Sequence, residues 1–268
     1  MIPRYTPTAS QLERLSDAEY EQFLSVTLRR LQEVESAANI PDIENMSPDE
    51  VAQYLRDIEA RLESDLAPIY AELERGGSLR EWERGVTDLI AAAALLAMLL
   101  AVGGVASLRT QPRGRTFVLQ SREALRNHIQ AIRATASNIA AGNLTTGQIN
   151  ATLRRRIAAI RQSYERAYMV DAIANRGHNE AIRRLTSAHP CPDCPLHERL
   201  EWTPIEDVVP PSVACRCSDR CKCTMQTRFN PERALQELMG GSLTDRVSRF
   251  TANLDAAESG YRQRMGWD

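Results

Sequence analysis

Apolar residues recur at helical spacing through most of the chain. Tyr20, Leu24, Thr27, Leu31 and Val34 share one face of a first segment, and Val51, Leu55, Ile58 and Leu62 share one face of a second, continued by Ile69 and Leu73 past Pro68. Leu125, Ile129, Ile132, Ala136 and Ile139 line another, and Ile149, Leu153, Ile157, Ile160, Tyr164 and Ala167 the next. Steps of three and four residues keep side chains on one side of a 3.6-residue turn, so each segment predicts an amphipathic helix. The starts are marked by Ser16–Glu19, Ser47–Glu50, Ser78–Glu81 and Thr145–Gln148. In each, the hydroxyl and the side chain three residues on can satisfy each other's backbone N–H groups. Pro41, Gly76-Gly77, Gly142-Asn143 and Gly240-Gly241 supply the stops, and Gln111–Gly114 reads as a turn. Asn230-Pro231 opens a short helix to Met239, and Val247, Phe250, Leu254 and Tyr261 fit a last one. Alternation with period two is nearly absent. Only Leu200–Ile205 and Cys223–Phe229 read as short strands, able to pair as one hairpin.

One stretch breaks the amphipathic pattern. Leu89 to Leu108 carries no charge over 20 positions. At 1.5 Å per residue a helix of that length spans a bilayer core, and Arg109, Arg113 and Arg115 would hold its end at the surface. Its richness in alanine and its paired glycines fit a central bundle helix or a subunit contact better. Burial is therefore the expectation, and membrane insertion is the alternative.

Composition adds a charge asymmetry. The chain has 268 residues and a formal net charge of −2. Residues 1–88 carry 19 acidic and 9 basic side chains, whereas residues 109–184 carry 14 Arg against 4 acidic ones. Opposed blocks of this kind fit faces that attract each other within or between subunits, and a homo-oligomer is expected. They also fit non-specific DNA contact through the Arg-rich helix 148–168, where Arg154, Arg155, Arg156, Arg161 and Arg166 lie largely off the apolar face. This basic helix is expected to approach the next segment through Arg183 and Arg184.

All six cysteines lie within 33 residues: Cys191, Cys194, Cys215, Cys217, Cys221 and Cys223. The pattern C-x2-C followed by C-x-C-x3-C-x-C has two explanations, metal ligation or disulfides. No signal peptide pattern opens the sequence, which points away from an oxidising compartment. One structural Zn2+ is the expectation, held by Cys191 and Cys194 and by two of Cys217, Cys221 and Cys223, with Cys215 in reserve. His189 and His197 flank the first pair and could each replace a thiolate. Few apolar residues lie in the segment, so a metal would supply much of its ordering free energy. The fold class that results is mainly α, a helical bundle with a small Cys-rich, zinc-stabilised segment carrying at most a short β-hairpin. Four regions follow: an acidic helical region at 1–118 with the apolar helix 89–108, a basic helical region at 119–186, the Cys-rich segment at 187–229, and C-terminal helices at 230–268.

The chain lacks a Gly-rich phosphate loop, a G-x-S-x-G elbow and H-E-x-x-H. A closed four-ligand metal site leaves no open position for catalysis, so a non-enzyme is expected. An all-helical body, then Cys191-Pro192-Asp193-Cys194, a spacer with Trp202 and prolines, and Cys221-Lys222-Cys223-Thr224 resembles the minor head or head-morphogenesis proteins of tailed bacteriophages, the Mu-type group. The stretch Ser137–Thr145 and the basic helix after it extend that resemblance over residues 120–228. Such proteins usually have His-Pro before the last cysteines, where Ser212-Val213-Ala214 stands here. Cys215 and Cys217 are additional and leave the ligand set open. The resemblance implies a virion component assembled in the host cytoplasm, in contact with capsid, portal or neck proteins. Two alternatives remain: a membrane-active virion protein inserting 89–108 during genome ejection, and a zinc-stabilised nucleic-acid-binding module.

Overall fold

The structure, a computed structural model, describes residues 46–108, 111–185, 190–198, 201–211, 223–238 and 243–265, together with Gln22 and Ser25. Apart from Gln22 and Ser25, which are helical, the helix expected after Ser16 lies outside these residues, as does the Gly240-Gly241 stop. Among the described residues six helices of eight or more residues carry most of the chain, with one three-stranded sheet. The chain divides into two compact units, Met1–Tyr164 and Glu165–Asp268.

In the first unit, α1 (Pro48–Glu74) begins with the full Ser47–Glu50 capping box, Ser47 N donating to Glu50 Oε2 at 2.7 Å and Glu50 N to Ser47 Oγ at 3.3 Å. Its buried stripe is Leu55, Ile58, Leu62, Leu66 and Tyr70. The stripe thus runs through Leu66 and Tyr70, while Ile69 and Leu73 are only half-buried. The helix continues through Pro68. Tyr70 reaches the start of another helix, its hydroxyl donating to the Thr146 carbonyl at 3.1 Å.

Helix α2 (Leu79–Ala101) starts at Ser78, whose hydroxyl accepts from Glu81 N. It packs against both α1 and α4 (Gln111–Ala140). Thirteen of its residues are buried, from Trp82 to Ala101. Gly85 lets α1 approach closely, because a Cβ there would stand 2.9 Å from Ile69 Cδ1. The apolar run is not one helix to Leu108. Gly103 and Gly104 both take positive φ, 84° and 85°, and end α2 at Ala101 before the short turn α3 (Gly104–Ser107). Left-handed backbone excludes a continuing α-helix, and glycine adopts it without a Cβ penalty. Even so, α2 is long and apolar enough to cross a membrane, with a mean hydropathy of 1.7 over its most apolar stretch, of which 67% is buried. It is the central helix of this unit's core.

Helix α4 starts at Gln111, well ahead of Leu125 where the expected stripe begins, so Gln111–Gly114 is helix rather than turn. Phe117, Ser121, Leu125, His128, Ile129, Ile132 and Ala136 form its buried face. Helix α5 (Thr146–Ala174) opens with a reciprocal Thr145–Gln148 box, Thr145 N to Gln148 Oε1 at 2.8 Å and Gln148 N to Thr145 Oγ1 at 3.4 Å. The unit boundary falls inside α5.

In the second unit the expected helix end gives way to a strand. After Gly177, at a φ of 64°, residues Glu180–Arg184 form a strand, β1, rather than the end of a basic helix. It is the middle strand of an antiparallel sheet ordered β2-β1-β3, with β2 at Thr203–Pro204 and β3 at Thr224–Arg228. The two stretches expected to form a hairpin are strands, but each pairs with β1 and not with the other. Paired residues share a face, so Ala181, Arg183, Met225 and Thr227 stand on one side and Glu180, Ile182, Gln226 and Arg228 on the other. The first side meets the core built from Met169, Val170, Ile173, Ile205, Val208, Phe250 and Leu254. Helix α8 (Leu243–Met265) supplies Phe250 and Leu254 and packs on the 3-10 turn Ile205–Asp207.

Candidate functional site

The thiols gather at one end of the β1–β3 ladder. Its last registered pair is Arg184 with Thr224, so the next step places Leu185 opposite Cys223. Leu185, Cys191, Cys194 and Cys223 pack together in one small cluster, with Cys194 and Cys223 buried. The C-x2-C turn closes through Cys194 N donating to the Cys191 carbonyl at 3.1 Å, and Cys194 opens the four-residue helix α6 (Cys194–His197). Glu198, one residue beyond it, accepts from Leu185 N at 3.1 Å and so ties the turn to the end of β1.

Cys191 Sγ and Cys194 Sγ stand 3.3 Å apart. A disulfide would bring them to about 2.05 Å. Two thiolates bound to one zinc at about 2.3 Å, on a tetrahedron, would be about 3.8 Å apart. The pair therefore fits two adjacent corners of a zinc tetrahedron after a shift of about half an ångström. Among the described residues no group of three His, Cys, Asp or Glu stands close enough to enclose an ion. Cys223 is a near neighbour but not a third corner. Cys215, Cys217 and Cys221, and also His189, lie outside the described residues; His197 is half-buried on α6. A closed four-ligand site needs two more ligands, drawn from Cys223 and these residues.

The spacer between the cysteine halves is better anchored than its composition implied. Ile205 and Val208 are fully buried in the core, and Pro210 and Pro211 are buried too. The Arg183 side chain is wholly buried and donates through Nη1 to the carbonyls of Val209 at 2.8 Å and Pro210 at 3.0 Å. Residues 203–211 thus need no ordering by metal.

On the opposite side of the sheet lies an ionic cluster that the sequence did not reveal. Glu180 is 3% exposed and receives Arg228 Nε at 2.8 Å, Arg233 Nε at 2.9 Å and Asn230 Nδ2 at 3.0 Å. Burial alone would raise its carboxyl; the hydrogen bonds from Arg228, Arg233 and Asn230 outweigh it and hold the pKa below the usual value. Asn179 and Asn230 clasp each other, Asn179 Nδ2 to Asn230 O at 2.8 Å and Asn230 N to Asn179 Oδ1 at 2.7 Å. Asn230 Oδ1 in turn accepts from Glu232 N and caps α7 (Pro231–Leu238). Arg228 also lies over the Trp202 ring, 4.2 Å from its centre. Every one of these groups is spent on another, which suits a fastening between β1, β3 and α7. The only sequence signal for it was Asn230-Pro231.

The basic helix is likewise partly committed. Arg166 pairs with Asp255, Arg154 approaches Glu63 at 3.8 Å, and Arg156 and Arg161 are half-buried. Arg154 and Arg155 remain well exposed. His128 is buried in the same unit as these residues, its Nε2 2.9 Å from Ser163 Oγ. Burial first, and then the Arg156 charge, lower its pKa to about 4. His178 Nδ1 meets Thr227 Oγ1 at 2.8 Å, and the Tyr168 hydroxyl meets the same oxygen at 3.3 Å. This small polar group fixes β3 to α5.

Comparison of the chain with protein-family models, with curated proteins and with solved structures finds no match. Function must therefore be argued from the cluster itself.

Proposed function

We propose that the chain is a non-catalytic structural protein of a tailed-phage particle, of the minor head or head-morphogenesis kind, whose second unit is locked by one structural zinc. The observation that carries this is the convergence of Cys191, Cys194 and Cys223 on one cluster at the end of the β1–β3 ladder. Thiolates at that position would tie the turn after β1 to the strand that pairs with it, a fastening role with no substrate position. Cys223, buried beside the pair, is favoured as the third ligand, and would have to move closer to the ion to serve as one. Cys215, Cys217 and Cys221 compete for the fourth place.

A structural role agrees with how the polar groups are used. Glu180, Asn179, Asn230 and Arg183 bond to neighbours that join strands, loop and helix. Exposed Arg154 and Arg155 give a restricted basic surface for packaged DNA through phosphate contact. Capsid, portal or neck proteins are the partners this proposal names, and further copies of the chain are expected beside them. The test is recovery of the protein from purified particles after a high-salt wash. Retention at a fixed stoichiometry supports the proposal, and a protein found only in the lysate overturns it.

A further inference from the structure

The same cysteine pair has a second chemistry when its two sulfurs stand free of metal, 3.3 Å apart. We infer that Cys191 and Cys194 form an oxidisable dithiol, in which a hydroperoxide converts the metal-binding pair into an intramolecular disulfide.

Three observations carry this. The two sulfurs stand 3.3 Å apart, so closing to a bond of about 2.05 Å needs little more than 1 Å of movement. They flank a two-residue turn whose backbone is already closed by the Cys194 N to Cys191 O hydrogen bond. Their exposure differs: Cys191 is partly buried and Cys194 is 2% exposed. A dissolved peroxide therefore meets Cys191 first, and Cys194 waits behind it.

The steps balance. The Cys191 thiolate attacks one peroxide oxygen, the O–O bond breaks, and a sulfenic acid forms on Cys191 as the alkoxide or hydroxide departs and takes a proton. The Cys194 sulfur then attacks the sulfenic sulfur. The S–S bond forms, the S–O bond breaks, and the leaving hydroxide takes the Cys194 proton as water. Two thiols are oxidised and one hydroperoxide is reduced. Cys194 is the resolving thiol of this step because its sulfur stands 3.3 Å from that of Cys191. The disulfide removes two thiolate donors at once, so an oxidised pair cannot serve as half of a metal site. The zinc lock of the preceding section would then open under peroxide and reset under a dithiol reductant.

The experiment treats the folded full-length protein with equimolar hydrogen peroxide, blocks remaining thiols and digests with trypsin. Cleavage after Arg184 and Arg199 puts both cysteines in one peptide, 185–199, and cleavage after Lys222 puts Cys223 in another. The inference expects peptide 185–199 lighter by two hydrogens and unblocked, with the Cys223 peptide fully blocked. In Cys194→Ser the same dose should leave a sulfenic acid on Cys191 that dimedone traps, and in Cys191→Ser the Cys194 thiol should stay reduced. Sulfinic acid on Cys191 beside a blocked Cys194, or a disulfide joining Cys223 to either, overturns the inference. Release of metal during oxidation is read in parallel with a chromogenic chelator. A protein that holds no metal yet forms the disulfide defeats the zinc proposal alone.

Discussion

Acid should weaken the first unit through His128, and the size of the effect follows from its surroundings. The ring is buried among α4 and α5 residues, hydrogen-bonded to Ser163 and close to the Arg156 charge. Its pKa falls from 6.5 to about 4 in the folded protein. Between those values the unfolded chain binds a proton that the folded chain refuses, so stability rises with pH. The contribution is whole above about pH 6.5, shrinks as pH falls, and is gone below about pH 4. The full span is worth about 3 kcal/mol, and about 2 kcal/mol of it is lost by pH 5. That is a large part of the roughly 5–15 kcal/mol that holds a typical domain folded. The assay is urea unfolding from pH 7.5 to 4.5, following the fluorescence of buried Trp82 in a Trp202→Phe, Trp267→Phe background. His128→Gln should cost stability at pH 7 but flatten the slope between pH 6.5 and 4.5. An unchanged slope in His128→Gln would refute the reasoning.

Two further outcomes test the packing and the ionic cluster. Leu100→Glu puts a charge at a site 4% exposed near the C-terminal end of α2, and should abolish cooperative unfolding of the first unit, whereas Leu96→Glu, at a half-buried position, should cost visibly less; calorimetry compares them. Glu180→Gln leaves Arg228 and Arg233 without their carboxylate, and should lower stability by about 2 kcal/mol at pH 7, below the roughly 3–5 kcal/mol of a fully buried broken pair because Arg228 is half-exposed. Because the folded Glu180 pKa lies below its usual value, that penalty should shrink as pH falls through the carboxylate range, which urea midpoints at pH 7 and pH 3.5 would show.

The helices were legible because their signals are local. Ser47–Glu50 and Thr145–Gln148 are capping boxes in the structure as in the sequence, and the stripes of α1, α4 and α5 follow from spacing alone. The end of α2 was not read correctly, since Gly103-Gly104 reads as small-residue packing until both take positive φ. Strand β1 was missed for a different reason. Glu-Ala-Ile-Arg-Arg has good helical propensity, and four of its five residues are buried, so no alternation betrays a strand. Pairing on both sides, from residues 20 and more positions away, overrides that propensity. The clustering of cysteines was plain, but the place of Cys223 beside Leu185 depends on the β1–β3 register, which no local pattern encodes. The Glu180 cluster joins residues about 50 apart and was invisible for the same reason.

The central claim is that the cysteine cluster is a metal lock, and metal content is its most direct test. The full-length protein, purified under reducing conditions with zinc present and then dialysed, should hold one zinc per chain by plasma emission spectroscopy. Cys191→Ser combined with Cys194→Ser should remove it while circular dichroism of the helices is kept. Less than one zinc per two chains in the unaltered protein would contradict the account, as would full retention of zinc in the double variant.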